Sequence, residues 1–193
     1  MINFIKRIYR YILSKIIWEI LKRKKITTTI SFHNRNTKNS LDMIDLMSVM
    51  NIANGAYAEK NYSEAAEWFT LAANRGYYKA QHNLGHMYDD GVGVTQNYTE
   101  AVKWYKLAAD QGSARSQFNL GNMYRKGQGV KRSYSEAIRL YRLASVQGLA
   151  KAYYNLGYMY EKGYGVKQSD RAASSCYKLA EIHKYYKLAE DQS

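Results

Sequence analysis

Apolar residues recur along the chain at helical spacing, in pairs of short runs. Ala101, Trp104, Tyr105 and Ala108 share one helix face, and Tyr98 carries the stripe backwards. Ala80, Leu84, Met87 and Tyr88 do the same in the run before it. Between them lies Gly91-Val92-Gly93-Val94. A helix continues poorly through it, because each glycine costs about 1 kcal/mol relative to alanine. The pattern predicts helix, turn, helix, with glycine supplying positive φ in the turn and Val94 tucked onto the core. Gly76, Gly112 and Gly148 read as C-caps of the second helices.

The unit then repeats. The glycine pairs Gly91/Gly93, Gly127/Gly129 and Gly163/Gly165 stand 36 residues apart. Leu84-Gly85 returns as Leu120-Gly121 and Leu156-Gly157, and Met87-Tyr88 as Met123-Tyr124 and Met159-Tyr160. Asn83, Asn119 and Asn155 keep the interval, as do Ala101, Ala137 and Ala173. Three full units span about Tyr77 to Lys184. Neither helix of a pair can bury its apolar stripe alone, so the prediction is an all-α solenoid of stacked hairpins. Gly85, Gly121 and Gly157 fall inside helices, where they are locally unfavourable. Close helix–helix approach with no room for a Cβ is the compensating reason, and Gly121→Leu is expected to loosen the array.

The run Ala80-Gln81-His82-Asn83-Leu84-Gly85-His86-Met87-Tyr88, the Gly91–Val94 turn and Tyr98-Thr99-Glu100-Ala101-Val102-Lys103-Trp104-Tyr105-Lys106-Leu107-Ala108-Ala109 together resemble a Sel1-like repeat. The resemblance covers about three-quarters of the chain. It implies a right-handed α/α solenoid related to the tetratricopeptide repeats, and protein–protein scaffolding without a shared ligand. Two segments depart from the pattern. Upstream, Trp68 is in phase with Trp104, but Lys60-Asn61 replaces the glycine-valine turn, giving a first, short-turn unit over 41–76. The next units are 77–112 and 113–148. In the last, 149–193, the phase calls for a closing glycine at position 184, which is Lys184. One long terminal helix follows, with a break near Ile182–Lys184 as the alternative.

Residues 1–40 form a separate, basic extension. They hold ten Lys/Arg and a single acid, Glu19, a net of +9; residues 41–193 hold the other 19 bases and 15 acids, a net of +4. An acidic partner is therefore sought first at the N-terminus. Within 2–25, Ile5, Ile8, Tyr9, Ile12, Leu13, Ile16 and Ile20 project to one helix face, with Lys6, Arg7 and Arg10 opposite. Lys15 and Glu19 interrupt the apolar run, which argues against a spanning helix and a secretory signal. Four readings stay open: a helix on an anionic membrane surface through Lys6, Arg7, Arg10, Lys22, Arg23, Lys24 and Lys25; packing onto the first repeat; an organelle transit peptide; and nucleic-acid binding, the weakest for lack of a groove-reading motif. The compartment stays undecided between soluble and peripheral membrane, with an intracellular one favoured.

No enzymatic constellation emerges. The Gly-x-Gly pairs lack a preceding strand and a third glycine, so they read as turns rather than phosphate loops. His82 and His86 have metal-ligand spacing but no third ligand, so no metal or cofactor is expected. Cys176 takes the position of Trp104 and Leu140 and reads as a buried small hydrophobe with no activating base. If Leu84, Gly85 and Tyr88 face neighbouring helices, Lys79, His82, Asn83 and His86 are left on the concave side. Their equivalents are Arg115, Phe118, Asn119 and Asn122, then Lys151, Tyr154, Asn155 and Tyr158. By similarity to tetratricopeptide repeats these residues line a peptide groove. Amide and cationic donors suit an acidic or carboxylate-bearing peptide, while bonding of the asparagines to neighbouring backbone is the competing reading. The expectation is a non-enzymatic adaptor, with a peripheral membrane protein carried by the basic helix as the alternative.

Overall fold

The computed structural model describes residues 46–190, with side chains to Lys184. Segment 2–25, with the cations considered above for a membrane surface, lies outside these. Eight helices follow one another: α1 (Leu46–Ala58), α2 (Tyr62–Asn74), α3 (Tyr78–Asp90), α4 (Tyr98–Asp110), α5 (Ala114–Lys126), α6 (Tyr134–Val146), α7 (Ala150–Lys162) and α8 (Asp170–Glu190). No strand occurs among the described residues. Helices α3/α4, α5/α6 and α7/α8 pack as hairpins, and α2/α3, α4/α5 and α6/α7 pack between hairpins. The architecture is an α/α solenoid of stacked hairpins.

Equal helix length makes the stack regular. Helices α1 to α7 each have 13 residues, about 20 Å at 1.5 Å per residue. Fully buried alanines at the repeat interval, Ala65, Ala101 and Ala137, then Ala72, Ala108 and Ala144, let the helices approach closely. Polar side chains cap the starts of α4, α5 and α6. Asn97 accepts hydrogen bonds from the amides of Thr99 and Glu100, and Ser133 from that of Glu136. Gly91, Gly127 and Gly163 close the first helices at φ of 71°, 75° and 66°. Gly76, Gly112 and Gly148 also have positive φ, but the cap residues are Arg75, Gln111 and Gln147, one position earlier than expected.

The second glycine of each turn forms the joint between hairpins. A Cβ on Gly93 would run into the carbonyl of Tyr62, and one on Gly129 into that of Tyr98. On Gly165 it would stand 2.7 Å from the Cβ of Tyr134. Each turn thus presses against the first residue of the preceding hairpin's second helix. The first hairpin turns differently, as expected from Lys60-Asn61. Lys60 itself takes the left-handed conformation, φ 62°, with no glycine to bear it.

Buried glutamines cross-link successive hairpins. Gln81 donates to the Ala73 carbonyl and accepts from Gln111 at 2.7 Å. Gln117 repeats this with Ala109 and Gln147. At the next interval the pair is Tyr153 and His183, stacked with ring centroids 5.0 Å apart. His183 belongs to α8, a continuous 21-residue helix, so the break near Ile182–Lys184 does not occur. Cys176 is half-buried rather than buried: no later hairpin covers it among the described residues. Burial raises its thiol pKa.

Candidate functional site

The candidate residues all sit on the first helices of three successive hairpins, α3, α5 and α7. Lys79, Arg115 and Lys151 are exposed, as are His86 and Tyr154. His82, Asn83, Phe118, Asn119, Asn122, Asn155 and Tyr158 are half-buried. Beneath them each hairpin contributes a tyrosine from its second helix: Tyr105, Tyr141 and Tyr177. These rings fill the space left by the helical glycines. A Cβ would lie 2.7 Å from the ring of Tyr105 at Gly85, 2.7 Å from Tyr141 at Gly121 and 2.6 Å from Tyr177 at Gly157. The expected close approach at these glycines is therefore helix against tyrosine ring. The aromatic step packs over the same rings, with His82 on Tyr105 and Phe118 on Tyr141 at 5.9 Å, and Tyr154 on Tyr177 at 5.2 Å.

The tyrosine hydroxyls take up much of the polar row. Tyr141 donates to Asn122 at 2.8 Å, and Asn155 donates to the same amide oxygen at 2.9 Å. Tyr105 makes a long contact, 3.5 Å, to Asp89. Tyr177 donates to Glu161 at 2.7 Å. Burial raises the pKa of all three phenols, so they remain neutral donors. Asn155 thus bonds to an asparagine side chain of the preceding hairpin, rather than to backbone.

His82 shares a hydrogen bond of 2.9 Å with Ser116, which is fully buried and bonded onward to Ser113. Burial, then His86 and Arg115, lowers its pKa from 6.5 to about 4, so it is a neutral link between hairpins at ordinary pH. His86 instead pairs with Asp90 at 3.2 Å. The two imidazoles have different partners, and no group of three metal-ligating side chains occurs among the described residues. Burial and the neighbouring Asp90 raise the pKa of Asp89.

The tyrosines recur every 36 residues and were legible as core; their hydroxyl partners were not. Asp89, Arg125 and Glu161 occupy one repeat position yet differ in charge, so the pattern carried no signal of a common role.

The Sel1 repeat family model matches four times, over residues 47–77, 79–113, 114–149 and 150–192. The chain belongs to the Sel1 repeat family. Proteins of this family act generally as protein-interaction scaffolds and are typically non-catalytic. A Sel1 repeat protein from Oxalobacter formigenes is 35% identical, with a TM-score of 0.65 over 69% of this chain and 55% of that one. A protective antigen present in uropathogenic Escherichia coli strains, displaying an SLR fold, is 34% identical, with a TM-score of 0.69 over 75% of this chain and 32% of that one. MamA, 16% identical with a TM-score of 0.53 over 80% of this chain and 86% of that one, shares the fold. The chain spans about half and a third of the lengths of the first two. No curated protein matches it.

Proposed function

We propose that this Sel1 repeat chain is a non-enzymatic adaptor that binds an acidic or carboxylate-bearing protein segment across α3, α5 and α7. One observation carries the reading. Lys79, Arg115 and Lys151 stand at successive repeat positions, all exposed, and none pairs with a carboxylate among the described residues. Three cations at one face of a stack suit charge-assisted hydrogen bonds to acidic side chains or a terminal carboxylate. Asn122 and Asn155 are engaged with Tyr141 and with each other, so the cations and the aromatic step form the binding set.

The test is affinity capture from the native cell with wild-type chain and with Lys79→Glu plus Arg115→Glu. Selective loss of partners supports the groove; an unchanged set sinks it. A tightly bound cofactor in purified protein would overturn the non-enzymatic reading. The charge of residues 1–40, ten bases to one acid, favours a second reading in which the N-terminal helix binds anionic lipid and the repeats present it. Co-sedimentation with phosphatidylserine liposomes, with and without residues 1–40, separates the two. No described helix is long and apolar enough to cross a membrane.

A further inference from the structure

Where one hairpin departs from its siblings, the fold does not require the departure. Tyr158 stands where the other first helices have His86 and Asn122, and Tyr164 where the other turns have Val92 and Gln128. These two residues join Tyr134 in a chain of rings. Tyr134 and Tyr164 stack at 4.9 Å with planes 7° apart, and Tyr158 meets Tyr164 edge-on at 6.0 Å. A cation ends the chain on each side: Arg132 lies 5.6 Å over Tyr134, and Lys162 lies 6.0 Å over Tyr158. Tyr164, at the centre, is 37% exposed.

We infer that this cation–tyrosine shelf, at the junction of the third and fourth hairpins, is a docking surface for an acidic peptide segment carrying bulky apolar or aromatic side chains. It rests on the reading of the repeats as a protein-binding scaffold and names where specificity resides. Charge complementarity selects the partner. Arg132 meets no carboxylate among the described residues, and Lys162 has Glu161 at 2.7 Å, which also accepts from Tyr177. The phenol rings supply rigid contact area of the kind concentrated at binding hot spots. Single-stranded nucleic acid fits less well. Bases need open ring faces, and the stack closes one face of Tyr134 and one of Tyr164. The net charge of residues 41–193 is only +4.

The siblings supply substitutions the fold already accommodates. Arg132→Gln takes the residue of Gln96 and Gln168, Tyr158→Asn that of Asn122, and Tyr164→Gln that of Gln128. The probe is a fluorescent glutamate–tyrosine copolymer, titrated against the full chain by anisotropy beside polyglutamate and oligouridylate. The shelf predicts tighter binding of the copolymer than of polyglutamate. It also predicts an affinity loss of at least about tenfold in the triple variant, with the helical far-UV circular dichroism spectrum retained at the assay temperature. Tyr164→Gln alone should give part of that loss. Equal binding by wild type and the triple variant overturns the proposal, as does oligouridylate outcompeting the copolymer at this surface. Loss of copolymer binding in Lys79→Glu plus Arg115→Glu, with full binding in the shelf variant, leaves the groove standing and removes the shelf.

Discussion

Adding one methyl group at Gly121 sets helix propensity against packing. In an unobstructed helix, glycine to alanine stabilises by about 1 kcal/mol. At Gly121 the new Cβ would stand 2.7 Å from Cε1 and 2.9 Å from Cδ1 of Tyr141. The ring must retreat by about 0.7 Å to reach the 3.4 Å of an ordinary contact. It has little freedom to do so, being fully buried and tied by its hydroxyl to Asn122 at 2.8 Å. Overpacking of this kind costs about 1–3 kcal/mol. Packing at the upper part of that range wins, leaving a net loss of about 1–2 kcal/mol, or about 2–8 °C in Tm. Gly55, inside α1 with nothing within 4 Å of its Cβ position, is the internal control. Thermal unfolding followed by far-UV circular dichroism should show Gly55→Ala raising the midpoint and Gly121→Ala lowering it. A rise at both sites would refute the role of the tyrosine ring, and Gly121→Leu should be worse than Gly121→Ala.

Three further outcomes are expected. Lys60→Gly should stabilise by about 0.5–1 kcal/mol in urea unfolding, because relief of left-handed strain outweighs the entropy of a more flexible unfolded chain. Asn97→Ala should cost about 1 kcal/mol in the same assay, since it strips two amides at the start of α4 of their acceptor. The depressed pKa of His82 means that the unfolded chain takes up its proton first. The stability contributed by neutral His82 is complete above pH 6.5 and declines as pH falls toward about 4. His82→Phe, which takes the residue of Phe118, should flatten the pH dependence of the urea midpoint across that window; an identical slope would exclude His82 as its source.

The hairpins were legible because their determinants are local or periodic. A glycine pair every 36 residues placed the turns, and Ala, Leu and Met at helical spacing placed the buried faces. Even the helical glycines pointed to close packing. The site was less legible, because its polar bonds join residues far apart in the chain. Tyr141 and Asn122 are 19 residues apart, and Asn155 lies 33 beyond Asn122. The asparagine row stayed open between ligand binding and internal bonding because the partners of Asn122 and Asn155 could be identified only after the hairpins were stacked. Gln81 and Gln117 went unmarked for the same reason: each bonds to a helix end eight residues earlier and to a cap residue 30 later.

The joints at Gly93 and Gly129 close onto peptide groups of the hairpin before. Spacing along the array is therefore set by main chain rather than by the outward side chains. Exposed side chains are free to diverge, as Thr95, Lys131 and Lys167 have done, without altering the rise from one hairpin to the next. Pitch and recognition are separable, so a binding preference can be rewritten one rung at a time on an unchanged ruler.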